Sequence, residues 1–287
     1  MYGSIAITTK RNVEDKEFLK TLIHFLIKKR KKVFLSRHAR DNLHGDFSDL
    51  PSVDYNNKFD LLLSIGGDGS ILRAARNLKH ISTPILGINA GHLGFLANIT
   101  MNNWEEKLEK ILSGKGLKVH KTLCRVQHIR NGKTLIDSKI LNEIVISYSD
   151  MARVVSIDAK IDKRKLCTYN ADGLIVSTPT GSTAYNLAAG GPIVYPTLSA
   201  IIITPICSHS LTQKPIVLPG DKKVTLEFKR NSNPLNLTLD GQRSFTVEKD
   251  DIIKVEVMKR PLNFIKLPGQ HFVKTLRQKL HWGESPI

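Results

Sequence analysis

Cysteine is scarce in these 287 residues: Cys124, Cys167 and Cys207 are the only three, odd in number and far apart. That pattern excludes a disulfide framework and the paired spacing of a zinc site, and it points to reduced thiols in a cytoplasm. Acidic residues are in deficit, 26 against 43 lysines and arginines, a net charge of +17. Such a surplus favours anionic partners, whether nucleic acid, acidic membrane surfaces or phosphorylated small molecules. No apolar run reaches the length of a membrane span. The apolar stretch 21–27 is short, lacks a small-residue cleavage site and leads into Lys28-Lys29-Arg30-Lys31-Lys32, so it is not read as a secretory signal. The basic run reads as the solvated end of a helix, where cations suit the dipole. No recognition helix, zinc finger or aromatic-studded RNA signature accompanies it, so no specific nucleic acid is expected.

What is present is Gly66-Gly67-Asp68-Gly69-Ser70, directly after the apolar run 59–65 and before an amphipathic helical pattern over 71–78. A strand, a glycine turn and a helix start therefore follow one another. The glycines permit positive φ and close backbone approach, and the helix start offers free N–H groups to a phosphate. An acid in the middle of such a turn repels phosphate, and is better suited to taking a proton from an attacking hydroxyl. The loop is not a Walker loop, and it lacks the three spaced glycines of the dinucleotide fingerprint, which disfavours an ordinary Rossmann oxidoreductase. Taken alone, it reads equally well as a tight βα turn with Asp68 or Ser70 as an N-cap.

Strand-like runs at 2–8, 32–36, 59–65 and 83–89 alternate with helical patterns at 15–29 and 71–78, which predicts an α/β domain with a parallel sheet. After a helix at 104–112 the texture changes to short strands at 121–127, 133–136, 140–147, 154–161, 174–177, 223–228, 235–239, 244–247 and 252–258. Turn signals such as Asn131-Gly132 and Asp240-Gly241 sit among them, which predicts a β-sandwich. Residues 198–204 fit a strand or a helix equally. A last helix over Phe272–Leu280 is expected to return to the first domain. The expected division is 1–100 joined by 262–287, and 101–261.

Two further segments carry chemistry. Asn142-Glu143 is a polar pair inside an apolar strand, which must lie at an edge or hydrogen-bond to something. The run Asn170 to Asn186 leads a strand into a turn bearing Thr178, Thr180, Ser182 and Thr183, followed by Tyr185. Those hydroxyls read as a surface for a polar ligand, or as a Ser/Thr-rich turn capping a helix.

With Gly66-Gly67-Asp68-Gly69, Asn142-Glu143 and Asp172-Gly173 through Thr178-Pro179-Thr180-Gly181-Ser182-Thr183-Ala184-Tyr185 in this order, the chain resembles the bacterial NAD kinase family over essentially its whole length. The resemblance implies an α/β domain, a β-sandwich and a crevice between them. It implies ATP-dependent phosphorylation of the adenosine ribose 2′-hydroxyl of NAD, with Asp68 as proton acceptor and Gly66, Gly67, Gly69 and Ser70 as the phosphate loop. NAD would be held by Asp68, Gly69, Arg73, Asn142, Glu143, Arg153, Asn170, Asp172, Thr183, Ala184, Tyr185, Asn186, Leu187, Ala188 and Gln242. A divalent metal such as magnesium, ATP or polyphosphate as donor, and a homo-oligomer, dimer or tetramer, complete the implication. Two departures stand out: Asn186 and Ala188 replace usual serines, which leaves backbone contacts only, and Asn170 replaces a frequent basic residue. The competing readings are a lipid kinase sharing the glycine loop and a basic nucleotide- or nucleic-acid-binding protein without turnover.

Overall fold

In the computed structural model the described residues are 2–13, 15–89, 94–97, 99–148, 154–229 and 233–281. The chain divides into two compact units, Met1–His120 with Leu262–Ile287, and Lys121–Pro261. The break thus falls after His120 rather than after residue 100. Residues 101–120 stay with the first unit because the strand Leu117–Lys121 joins its sheet beside Leu262–Lys266.

The sheet of the first unit runs, in spatial order, Lys32–Leu35, Ser4–Thr9, Leu61–Ile65, Ile85–Asn89, Leu262–Lys266 and Leu117–Lys121, with the two-residue strand Ile99–Thr100 also on Ile85–Asn89. Ser4–Thr9, Leu61–Ile65 and Ile85–Asn89 pair in parallel, with Thr9 opposite Ile65 and Ile65 opposite Ile88. Every residue of Leu61–Ile65 is buried, as expected of a strand covered on both faces, and it feeds directly into Gly66. The glycine loop therefore lies at the carboxyl ends of inner parallel strands, where α/β sheets bind ligands. Asp15 caps the helix Lys16–Lys28, accepting from the Phe18 N–H at 2.8 Å, and Phe18, Leu19, Leu22, Ile23 and Leu26 are its buried face. Trp104 stands edge-on to Phe18 and Phe25, with ring centroids 5.5 and 5.3 Å apart.

Several elements of this unit were not anticipated, among them the strands Ile99–Thr100 and Leu117–Lys121 and the two that follow. A helix at Arg37–Leu43 starts on the Ser36 hydroxyl, which accepts from Ala39 N–H; its apolar face, Ala39 and Leu43, is too short to show periodicity. The strand Leu262–Lys266 hides behind Arg260-Pro261 and inserts between two strands distant in sequence. The helix Phe272–Leu280 belongs to the first unit, and none of its residues is buried.

The second unit is a pair of six-stranded antiparallel sheets. One runs Arg164–Ala171, Val155–Ile161, Lys223–Glu227, Ile252–Val257, Cys124–Arg130 and Lys133–Ile140. The other runs Ile216–Pro219, Ala200–Ile206, Gly173–Ser177, Glu143–Ser147, Leu235–Leu239 and Arg243–Val247. Alternate residues of both, among them Val126, Val155, Ile157 and Val255 from the first and Ile144, Ile146, Leu174 and Ile203 from the second, form one buried cluster. The ambiguous 198–204 segment is thus the strand Ala200–Ile206. Among the described residues no helix is long and apolar enough to cross a membrane, and Cys124, Cys167 and Cys207 form no disulfide.

Candidate functional site

The glycine loop is built by a backbone that no other residue adopts readily. Gly66 has φ +133°, and a Cβ there would lie 2.6 Å from the Ser70 hydroxyl oxygen. Its N–H donates to Ile88 O at 2.9 Å, which ties the loop to the neighbouring strand. The helix Asp68–Asn77 begins at Gly67 as N-cap, with no side-chain capping bond. The capping role open to Asp68 and Ser70 is therefore not the one they take. Ser70 is buried under the turn, and the Asp68 side chain turns away to a different segment.

That segment is 95–97. Asp68 Oδ2 accepts from Phe95 N–H at 2.8 Å, while Oδ1 accepts from Leu96 and Ala97 N–H at 3.1 and 3.3 Å. Three main-chain donors orient the carboxylate, no side-chain counter-ion is paired with it among the described residues, and Asp68 keeps partial exposure. Gly69 is exposed beside it. Arg73 donates from Nη2 to Thr9 O at 2.8 Å, so part of its guanidinium is tied to the end of a strand.

In the second unit the polar strand pair is locked by a residue read from sequence only as a turn signal. Asp240 follows the strand Leu235–Leu239 with φ +49°, and its carboxylate is buried. It accepts from Leu141 N–H at 3.1 Å, Asn142 N–H at 2.8 Å and Glu143 N–H at 3.2 Å, and its own N–H donates to Glu143 O. Asn142 O in turn accepts from Thr178 N–H and the Ser177 hydroxyl. The backbone of Asn142 is thus bound on both sides, and its side-chain amide makes no hydrogen bond among the described residues. Glu143 is 5% exposed with Oε2 unpartnered. Burial and the Asp240 charge push its carboxyl up to about 8.

The hydroxyl-rich turn corrects one expectation. Thr178 donates to Leu141 O, Ser182 donates to Pro179 O and accepts from Val194 N–H, and Thr183 donates to Thr180 O. Thr178, Thr180 and Ser182 are buried, so most of these hydroxyls satisfy the loop itself rather than facing a ligand. Asn186 is likewise engaged within the protein. It is 0% exposed; Nδ2 donates to Ser182 O and Pro192 O, and Oδ1 accepts from the Thr204 hydroxyl at 2.7 Å. It staples the turn to the strand Ala200–Ile206 and offers no surface to NAD in this structure. The accessible residues are Thr183, Ala184 and Leu187 in part, with Tyr185 and Ala188 exposed. Asn170 and Gln242 are exposed, and Asp172 lies 3.7 Å from His209 Nε2. Arg153 falls outside the described residues.

These two clusters can be set beside known proteins. The family model described as ATP-NAD kinase N-terminal domain matches residues 9–116, and the ATP-NAD kinase C-terminal domain matches 141–267. The NAD kinase of Geotalea daltonii is 38% identical over 250 residues, 87% of this chain and 86% of that protein. The chain belongs to the NAD kinase family. Two solved structures share its fold. The yeast NADH kinase complexed with NADH has a TM-score of 0.88 at 23% identity, covering 100% of this chain and 89% of that one. An NAD kinase from Archaeoglobus fulgidus in complex with ATP has a TM-score of 0.74 at 26% identity, covering 97% and 98%.

For a member of the NAD kinase family, sequence reasoning missed Asp240 and the 95–97 segment. Asp240 is a turn residue whose partners lie almost a hundred positions away, and main-chain donors leave no mark in side-chain identity. The one available signal for Asp240 was an acid at the start of a turn whose flanking strands are apolar on alternate positions. The strand before it, Leu235–Leu239, pairs directly with Glu143–Ser147, the strand that carries Glu143.

Proposed function

We propose that Asp68 takes the proton from the adenosine ribose 2′-hydroxyl of NAD as that oxygen attacks the terminal phosphate of ATP. NAD phosphorylation is the reaction of this family, and the chain is a kinase by membership. The observation that carries the assignment is the fixed carboxylate at the start of the helix Asp68–Asn77. A ribose hydroxyl is a weak nucleophile, and a carboxylate in hydrogen-bond reach lowers the barrier as the proton leaves. The remaining work in phosphoryl transfer is positioning and charge neutralisation. The main-chain groups at Gly67 and Gly69 and the helix start suit the phosphates.

The same reading gives NAD to Asn142, whose amide is unoccupied among the described residues, to Glu143, and to Asp172, Thr183, Ala184, Tyr185, Leu187, Ala188 and Gln242. Gly69 and Arg73 complete the set on the Asp68 side. Its ATP dependence accords with the family's description and with the ATP complex of the Archaeoglobus fulgidus relative. Among the described residues no group of three His, Cys, Asp or Glu side chains forms a metal cage. Magnesium enters the reading as the companion of the ATP phosphates, because this ion keeps several waters and is held by substrate phosphates together with one or two carboxylates. A cytoplasmic homo-oligomer belongs to the reading too, and light scattering of the purified chain checks the oligomer.

The deciding experiment is Asp68→Asn assayed with NAD, ATP and magnesium. The amide keeps the shape and loses the base. Turnover should fall by about 100-fold or more while NAD binding measured by calorimetry persists. A folded, NAD-binding variant with near wild-type turnover sinks the assignment. Polyphosphate in place of ATP, and a diacylglycerol in place of NAD, complete the assay as substrate controls.

A further inference from the structure

We propose that Gly94 is a positioning residue of the phosphoryl transfer: its bare Cα leaves the space in which the Asp68 carboxylate lies against the N–H groups of residues 95–97. The proposal rests on the reading of Asp68 as proton acceptor. A Cβ at position 94 would sit 2.0 Å from Asp68 Oδ1, 2.6 Å from Cγ and 2.8 Å from Oδ2. Its three nearest neighbours are thus all atoms of one carboxylate group. The backbone supplies no competing reason for glycine, because Gly94 is not among the glycines of positive φ. Gly66, by contrast, is explained by its own φ of +133°.

The geometry also says what the glycine secures. Successive N–H groups converging on one anion form a concave nest. Here three of them, from Phe95, Leu96 and Ala97, close on Asp68. A carboxylate has about four lone-pair directions, two on each oxygen. Oδ1 accepts two of these N–H groups and Oδ2 one. Oδ2 is therefore the oxygen with a direction left, among the described residues, for an incoming hydroxyl. A side chain at 94 either pushes the carboxylate out of the nest or lifts the nest from the carboxylate. Both outcomes change where Oδ2 points. A displacement of about 1 Å at a reacting group can lower a rate on the order of 100-fold.

The test is a double-mutant cycle on the full chain, with Gly94→Ala made in the wild type, in Asp68→Ala and in Asp68→Asn. In the wild type, Gly94→Ala should lower kcat by about 100-fold with a much smaller change in KM for NAD. It should also lower Tm by roughly 3–6 °C, the usual scale for overpacking in a unit of this size. In Asp68→Ala the atoms that the new Cβ would strike are gone, so adding Gly94→Ala should move Tm by less than about 1 °C. In Asp68→Asn the amide has the same outline, and the drop should return. If Gly94→Ala alone fails to fold, the Asp68→Ala double variant should still fold. An equal Tm loss in the wild-type and Asp68→Ala backgrounds overturns the proposal, as does a Gly94→Ala enzyme with wild-type kcat. An active Asp68→Ala enzyme in which the Tm cycle behaves as described defeats Asp68 as the base and Gly94's part in transfer, and leaves the packing relation intact. The two failures are therefore distinguishable.

Discussion

Replacing Glu143 by glutamine should abolish a pH dependence that the structure makes large. Glu143 is 5% exposed and lies beside the buried Asp240 carboxylate. Desolvation first, and the Asp240 charge second, raise its carboxyl from 4.5 to about 8. The folded chain therefore keeps a proton that the unfolded chain releases above pH 4.5. Stability contributed by that proton is fully present below the unfolded value and is lost as pH rises through the folded one. Each pH unit in that window removes about 1.4 kcal/mol, so the whole window removes about 5 kcal/mol at most. Water reaching Oε2 reduces the figure. Glutamine keeps the volume and does not titrate. The gap in stability between Glu143→Gln and the wild type should thus be near zero at pH 5 and grow through pH 8.5, to the advantage of glutamine. Urea unfolding of the ligand-free protein measures it. Neither tryptophan of the sequence, Trp104 or Trp282, falls within Lys121–Pro261, so the sandwich is followed by far-UV circular dichroism rather than by tryptophan fluorescence. A gap of constant size from pH 5 to 8.5 refutes the reasoning, because it would mean that Glu143 does not exchange a proton on unfolding in that range.

Two other perturbations test the sandwich. Asn186→Ala removes a fully buried amide and strands the Thr204 hydroxyl and two carbonyls; it should cost roughly 2–5 kcal/mol in urea unfolding. Its effect on NAD affinity should follow that loss of stability, since no atom of Asn186 is open to the ligand. Arg130→Met removes the bidentate partner of the buried Asp251, which also accepts from the Glu248 N–H and pairs with His128. Desolvation pushes Asp251 up, but the Arg130 hydrogen bonds, the Glu248 N–H and His128 outweigh it and hold the carboxyl below its usual range. A depressed acid stabilises above its unfolded pKa and loses that contribution as pH falls. The variant should lose about 3 kcal/mol at neutral pH, and its acid-unfolding midpoint should move upward. An unchanged acid midpoint would show that Arg130 contributes nothing there.

The elements legible in the sequence were those whose apolar residues repeat with a clear period. The inner strands Ser4–Thr9, Leu61–Ile65 and Ile85–Asn89 are mostly apolar and almost wholly buried, and the helix Lys16–Lys28 has five buried positions at helical spacing. Arg164–Ala171 was not legible, because it is an edge strand of one sheet with Arg164, Lys165 and Asn170 exposed. At the site, Asp68 and Glu143 stood out as acids in places that acids avoid. Their partners did not: Asp240 reads as an ordinary turn residue, and the 95–97 donors belong to the main chain. Asn186 illustrates the converse. The sequence places it beside an expected ligand segment, and three hydrogen bonds to the protein, which no local pattern shows, occupy its side chain.

The first unit is discontinuous along the chain, and this bears on the order in which the molecule is made. Leu262–Lys266 lies between Ile85–Asn89 and Leu117–Lys121 in its sheet, yet it leaves the ribosome after the entire sandwich. During synthesis the second unit can close while the first still lacks an inner strand and shows an open sheet edge. The nascent first unit is thus the stage most exposed to edge-to-edge association. A chain stopped before residue 262 would retain a complete sandwich and the Asp68 loop, and would still lack the strand that joins Leu117–Lys121 to the sheet.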